Sequence, residues 1–169
     1  MAKKIAILIE QDYQDLEVWY PYYRLREAGA QVDFIAPLES TYKGKYGYPA
    51  NVETTFANAK ADAYDAVIVP GGFAPDYLRR CPQSIQFVQD AYNKGKIVAS
   101  ICHGPWVLVS AGILRGKKAT CFSAIADDLK NAGARYEDSA VVVDGNLITS
   151  RKPDDLPLFC QAILKALGI

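Results

Sequence analysis

Histidine is almost missing from this chain: one residue, His103, among 169. A zinc site built on several imidazoles is therefore excluded, and any mechanism that needs a histidine base has a single candidate. Charge of either sign in excess is also missing, since 19 basic residues balance 19 acidic ones. Duplex-binding proteins take most of their affinity from phosphate neutralisation, so this balance argues against nucleic acid as a partner. Cys81, Cys102, Cys121 and Cys160 contain no Cys-x-x-Cys pair and read as thiols, not as a disulfide framework. Long apolar runs are absent too. The longest, Ile97 to Leu114, is interrupted by His103, Gly104 and Pro105, and does not read as a membrane span. The Ile5–Ile9 run is too short for a signal-peptide core, so the expected location is cytoplasmic. No cofactor and no metal is implied.

What the sequence has is a regular alternation. Half of its residues are apolar, and the length fits one domain over residues 1–169. Continuous apolar runs at Ile5–Ile9, Gln31–Ala36, Ala66–Val69 and Ile97–Ile101 read as strands buried on both faces. Between and after them, amphipathic stretches over Leu16–Ala28, Pro82–Lys94, Gly104–Ala111, Ile125–Asn131 and Pro157–Leu167 read as helices. Asp15 is placed to cap the first, with Gly29 as its stop. Tyr42–Phe56 suggests a β-hairpin excursion, Lys118–Cys121 a small strand, and Ala140–Ser150 a hairpin turning at Asp144-Gly145-Asn146. The pattern predicts an α/β domain with a mostly parallel sheet and helices on both faces. Ligands in such folds bind beyond the carboxyl ends of the strands, here after Ile9, Val69 and Ile101.

Each of these three ends carries a candidate group. Ser100-Ile101-Cys102-His103-Gly104 has the small-x-nucleophile-x-small spacing of a nucleophile elbow, with cysteine as nucleophile. The sharp strand-to-helix turn demands small residues two before and two after, and Ser100 and Gly104 supply them. The following helix N-terminus is expected to favour thiolate and lower the Cys102 pKa. The plainer alternative is a buried structural cysteine. Pro70-Gly71-Gly72 lets backbone N–H groups approach a bound oxyanion beside the N–H of His103, or is simply a tight turn. Asp15, and Asp12 with it, read as helix caps and dipole partners, whereas Glu17 in the first turn either shares that plain role or points back over the strand ends, stays protonated beside the sulfur and donates to it. His103 acts as a base, given a third group to orient its ring, or matters through its backbone alone. Cys81, Cys121 and Cys160 read as bystanders, with Cys81 in an exposed loop.

Ala99-Ser-Ile-Cys-His-Gly-Pro105, Val69-Pro-Gly-Gly72 and the Glu17 segment together resemble the ThiJ/PfpI superfamily, in the branch of intracellular cysteine proteases and protein deglycases. Tyr20-Pro-Tyr22, Gly44-Lys45, Gly47-Tyr48, Leu114-Arg-Gly116, Asn131-Ala-Gly133, Val141–Gly145 and Ser150-Arg151 follow in family order. The resemblance implies a flavodoxin-like three-layer sandwich, similar to the class I glutamine amidotransferases. It implies a Cys102 nucleophile, an oxyanion hole from the backbone of Gly72 and His103, and Glu17 beside the sulfur. It also implies homo-oligomers, either dimers or a trimer of dimers. In these, Asp76 of a neighbouring subunit would orient His103. The family often has glutamate at Asp76, a tyrosine at Phe122, and in a related protease a histidine at Tyr46.

Three functions compete on this reading. The first reading is an intracellular peptidase or amidase working through a thioester, with the other two as alternatives. Another is a deglycase or glyoxalase-like enzyme that handles methylglyoxal adducts through a hemithioacetal. The third is a non-catalytic redox sensor or chaperone-like stress protein whose Cys102 oxidises to sulfinate. A glutamine amidotransferase is excluded, because it needs a histidine downstream of the nucleophile and none follows His103.

Overall fold

In strand β1, Lys4–Leu8, the apolar run is continuous because both faces are covered. Ile5 and Ile7, with Ile9 just beyond, enter one core cluster, while Ala6 and Leu8 enter the other. Alternate side chains of a strand point to opposite faces, so only a strand walled by helices on both sides needs every position apolar. Each such isoleucine or leucine, fully buried, contributes about 1.5–3 kcal/mol. In the computed structural model, which describes residues 2–169, the same alternation recurs in β6 (Ala66–Val69) and β7 (Ile97–Ile101).

The remaining elements are α1 (Asp15–Glu27), β2 (Gln31–Ala36), β3 (Thr41–Lys43), β4 (Pro49–Asn51), β5 (Thr54–Thr55), α2 (Ala74–Arg79) and α3 (Pro82–Asn93). They continue with α4 (Pro105–Ser110), β8 (Lys118–Ala119), α5 (Ala126–Asn131), β9 (Arg135–Tyr136), β10 (Val141–Asp144), β11 (Leu147–Ser150) and α6 (Leu156–Leu167). The main sheet has the order β10-β11-β7-β6-β1-β2-β5, with every neighbouring pair parallel except β10 with β11. Helices α1 and α6 cover one face, and α3, α4 and α5 cover the other. This is the expected three-layer α/β sandwich. No helix is long and apolar enough to cross a membrane among the described residues.

The topology fixes where a site can form. From β1 the chain moves outward to β2, then returns to β6 on β1's other side, which makes β1/β6 a switch point. The loops after β1, β6 and β7 therefore leave the sheet side by side at its carboxyl edge.

Several local expectations change. The cap of α1 is Gln14, whose side-chain oxygen accepts from Leu16 N at 2.7 Å. Asp15 is instead turned outward to the β3–β4 loop, accepting from Tyr46 N and Tyr48 N at 3.1 and 3.3 Å. Helix α2 is an element that the sequence pattern leaves unassigned; its Pro75 lies in the first turn, where proline sacrifices no helical hydrogen bond. It draws Cys81, expected in an exposed loop, into a half-buried position ahead of α3. Strands β5 and β9 are two residues each, too short to leave a periodic signal.

Candidate active site

Cys102 follows β7 directly and has φ +62°. Among the described residues only Asp12 shares that left-handed conformation without being glycine, with φ +60°. A non-glycine residue there costs on the order of 1–3 kcal/mol and persists only when its surroundings hold it. The Cys102 N–H donates to Ser150 O at 3.1 Å, and its carbonyl accepts from Phe122 N at 3.0 Å. Gly104 N closes the turn onto Ile101 O at 2.9 Å, and Ser100 Oγ donates to Val69 O at 3.1 Å. The small flanking residues are thus required by contact, as the elbow spacing implies.

The turn after β6 forms the second wall. Tyr13 bridges Gly72, and Gln14 N donates to Gly71 O at 3.1 Å, so the loops after β1 and β6 are zipped together. Gly72 has φ +80°, a conformation that glycine adopts at little cost. A side chain at Gly71 would lie 2.5 Å from Glu17 Oε2 and 2.8 Å from Cys102 Cβ. The backbone N–H groups of Gly72 and His103 both act on the Cys102 sulfur, in keeping with an oxyanion hole at this spot.

Glu17 is fully buried in the first turn of α1. Its Oε2 accepts from Gly71 N at 2.7 Å, whereas Oε1 has no nitrogen or oxygen partner. The Cys102 thiol lies beside this carboxyl. Burial raises its pKa to about 7, against the pull of the Gly71 N–H and of Cys102. A proton on the orphan oxygen lets it donate to sulfur, which is the role considered for Glu17 over plain capping.

The expected depression of the cysteine pKa does not occur. Cys102 is only 8 % exposed, and desolvation first, then the charge of Glu17 whenever that carboxyl is ionised, push its thiol up to about 12. Helix α4 has just six residues, and its N-terminus, together with the backbone N–H groups of His103 and Gly72, does not offset that burial. Burial thus favours the thiol form, and a base beside the sulfur assists its attack. His103 Nδ1 is 3.2 Å from Sγ. Burial first, and then the charge of Lys45, lower the histidine pKa, so the ring is neutral at pH 7 and able to accept the thiol proton.

Within the chain, no carboxylate orients that ring. Asp76, in the first turn of α2, is ion-paired with Arg80, and among the described residues the ring's one hydrogen-bond partner is the sulfur. The ring is instead held by aromatic contacts. Phe122 stacks on it at 5.1 Å and 28°, and Trp106 meets it edge-on at 5.3 Å and 72°. Sequence reading missed both as positioning residues. Trp106, three residues beyond His103, carried a local signal, but Phe122 reaches the ring through tertiary folding alone. The other cysteines stand apart: Cys121 and Cys160 are buried thiols whose pKa values desolvation also raises to about 12. No group of three or more potential metal ligands occurs among the described residues.

A cysteine on a strained elbow, backbone donors across from it, and a histidine within reach of its proton define a cysteine-nucleophile enzyme on a doubly wound sheet. The chain belongs to the DJ-1/PfpI family, whose profile matches residues 3–166. It is 42 % identical to the deglycase PfpI of Pyrococcus furiosus, over 97 % of this chain and 99 % of that protein. It is 40 % identical to a Bacillus subtilis protein with the provisional name cysteine protease YraA, over 99 % of both chains. A crystal structure from Anabaena variabilis, of a two-domain protein with DJ-1/ThiJ/PfpI-like and ferritin-like domains, superposes with a TM-score of 0.97 at 50 % identity. That match covers 98 % of this chain and 48 % of the other. The protein is a cysteine-dependent enzyme of the PfpI type.

Ionisation of Glu17 offers a direct check of its environment. A carboxyl whose pKa rises from 4.5 to about 7 on folding binds its proton more tightly in the native state. The stability this confers is complete below pH 4.5 and is lost as pH rises through 7. The loss is on the order of 3 kcal/mol. Glu17→Gln cannot ionise, so it should gain that amount relative to the unsubstituted protein between pH 4 and pH 8 in urea melts. A difference that does not change with pH would mean that folding leaves the Glu17 pKa unshifted, and would remove the buried protonated carboxyl from the site.

Proposed function

We propose that this protein, acting as one domain in the cytoplasm, converts α-oxoaldehydes to 2-hydroxy acids, taking them free or as released from their reversible adducts on amines and thiols. The observation that carries this reading is the geometry of the site: His103 Nδ1 lies 3.2 Å from Cys102 Sγ, the N–H groups of Gly72 and His103 face the sulfur, and the buried Glu17 carboxyl lies beside it. Carbonyl addition uses these groups as they stand. The thiol proton passes to His103 Nδ1 while sulfur attacks the aldehyde carbon. The carbonyl π pair moves onto oxygen, facing the N–H groups of Gly72 and His103. Return of the proton from His103 gives a hemithioacetal. The C1 hydrogen then shifts with its bonding pair to C2, while the C1 hydroxyl proton passes to the C2 oxygen; the resulting 2-hydroxy thioester is hydrolysed by water to a 2-hydroxy acid and the free Cys102 thiol. The name of the Pyrococcus furiosus relative agrees with this reading.

Peptide hydrolysis is the second reading. It also demands protonation of an amine leaving group, and so an imidazolium steadied by a carboxylate. Asp76 is the candidate, from a neighbouring subunit of a homo-oligomer. Phe73, half exposed, and Tyr77 and Arg80 surround it with side chains that favour interfaces. Purified protein would be assayed side by side on methylglyoxal and on a peptide amide. Aldehyde consumption should dominate, and Asp76→Ala should leave it within about threefold while lowering peptide turnover by about tenfold or more. Faster turnover of the peptide would reverse the order of the two readings, and turnover of neither would favour a redox sensor.

A further inference from the structure

The β3–β4 loop is fastened to the catalytic edge of the sheet. Lys45 N donates to Tyr13 O at 2.9 Å, and Asp12 N donates to Lys43 O at 2.9 Å. Asp15 holds Tyr46 N and Tyr48 N, and the Tyr13 hydroxyl donates to Tyr48 O. Tyr13 bridges Gly44 on one side and Gly72 on the other. Neighbouring strands lie about 4.8 Å apart, so the Lys45 backbone stands roughly 10 Å from the Gly72 turn. A loop this firmly held fixes the backbone of Lys45 beside the site.

Lys45 differs from most other cations near the site, although Arg79, which lies over the Trp106 ring at 5.6 Å and donates to Ser110 Oγ at 3.0 Å, likewise has no carboxylate partner among the described residues. Arg80 is paired with Asp76, Arg151 with Asp138 and Asp155, and Lys152 with Asp154. Lys45 has no carboxylate partner within ion-pair distance among the described residues, and its ammonium rests over the exposed Tyr46 ring, 5.1 Å from the centroid. That is a weak hold on a flexible four-carbon stem. Its charge nevertheless reaches the site, favouring ionised Glu17 and disfavouring protonated His103. An unpaired cation held beside a nucleophile and an oxyanion hole lacks a counter-charge that a substrate can bring.

We propose that Lys45 docks an anionic group of the substrate, a carboxylate above all, on the part of the molecule that lies over the Gly72 turn. The preferred substrates are then acid-bearing carbonyl compounds, in preference to neutral ones of the same size. This rests on the reading that Cys102 attacks a carbonyl, but docking itself does not require turnover.

Alkylation of Cys102 separates the two. Iodoacetate and iodoacetamide have nearly the same size and differ in charge. Each forms the same S–C bond, expels iodide with the C–I electron pair, and releases the thiol proton to His103 or buffer. The ratio of their rates at Cys102, read by peptide mass mapping and divided by the ratio for a small free thiol, reports anion docking. The protein should favour iodoacetate by roughly tenfold. Lys45→Met should abolish the preference, Lys45→Arg should retain it, and Lys45→Glu should invert it. The preference should fade as salt is raised. An unchanged ratio in Lys45→Met overturns the proposal even if methylglyoxal is consumed. A ratio that follows residue 45 in a protein without aldehyde activity would uphold docking and reject the proposed function instead.

Discussion

Cys102→Ser is expected to lose aldehyde-consuming activity by roughly 10³-fold or more, without loss of fold. The substitution keeps a small side chain on the left-handed backbone and changes one atom. A serine hydroxyl is a far weaker acid and nucleophile than a thiol, and His103, with its pKa held down by burial, is too weak a base to activate it. The remaining N–H donors of Gly72 and His103 would still bind an oxyanion, so residual activity above the uncatalysed rate is compatible with the mechanism. Cys121 and Cys160 supply the internal control. Both are buried thiols whose pKa values desolvation also raises to about 12, but neither lies on the elbow. Conservative replacement of either should leave kcat/KM within about threefold, at a modest cost in stability. Full activity in the Cys102→Ser protein would remove Cys102 from the chemistry and with it every catalytic reading of the site.

The legible parts of this protein are those whose physics is local. Ile5–Ile9 needs apolar residues at every position because both faces are covered, and the sequence carries that directly. Ser100, Cys102 and Gly104 are likewise constrained by their own turn. The properties that escaped are collective ones. The raised pKa of Cys102 comes from burial beneath segments distant in the chain, while the helix N-terminus that argued for thiolate is one short turn or so of local structure. Asp15 looks like a cap in sequence. It binds the β3–β4 loop instead, because Gln14 occupies the capping position and the loop folds over the start of α1. Phe122, notable in sequence for the hydroxyl it lacks, contributes an aromatic face to His103. Lys45 carried no chemical signal until the loop around it was placed beside Gly72.

Gly104→Ala is expected to destabilise the protein by on the order of 3 kcal/mol and to disable the site at the same time. Gly104 has ordinary helical dihedrals, φ −51° and ψ −38°, so the requirement for glycine is not conformational. It is steric: an added Cβ would overlap the carbonyl oxygen of Val69 and the hydroxyl of Ser100. The Val69 carbonyl belongs to a central strand and cannot withdraw, and Ser100 Oγ is bonded to that same carbonyl. The elbow itself must move, carrying Cys102 and His103 away from the Gly72 turn. Gly112→Ala separates this effect from backbone strain. Gly112 has φ +69°, and nothing lies within 4 Å of an added Cβ there. Its substitution carries only the left-handed cost of about 1–2 kcal/mol and leaves the active site in place. For a domain of this size each kcal/mol corresponds to about 2–4 °C in Tm. Gly104→Ala should therefore melt roughly 6–12 °C below the unsubstituted protein, and below Gly112→Ala. Its activity should fall by more than the unfolded fraction explains. Equal stability of Gly104→Ala and the unsubstituted protein would mean that the elbow has slack, and the tight packing assigned to Ser100, Val69 and Gly104 would have to be abandoned.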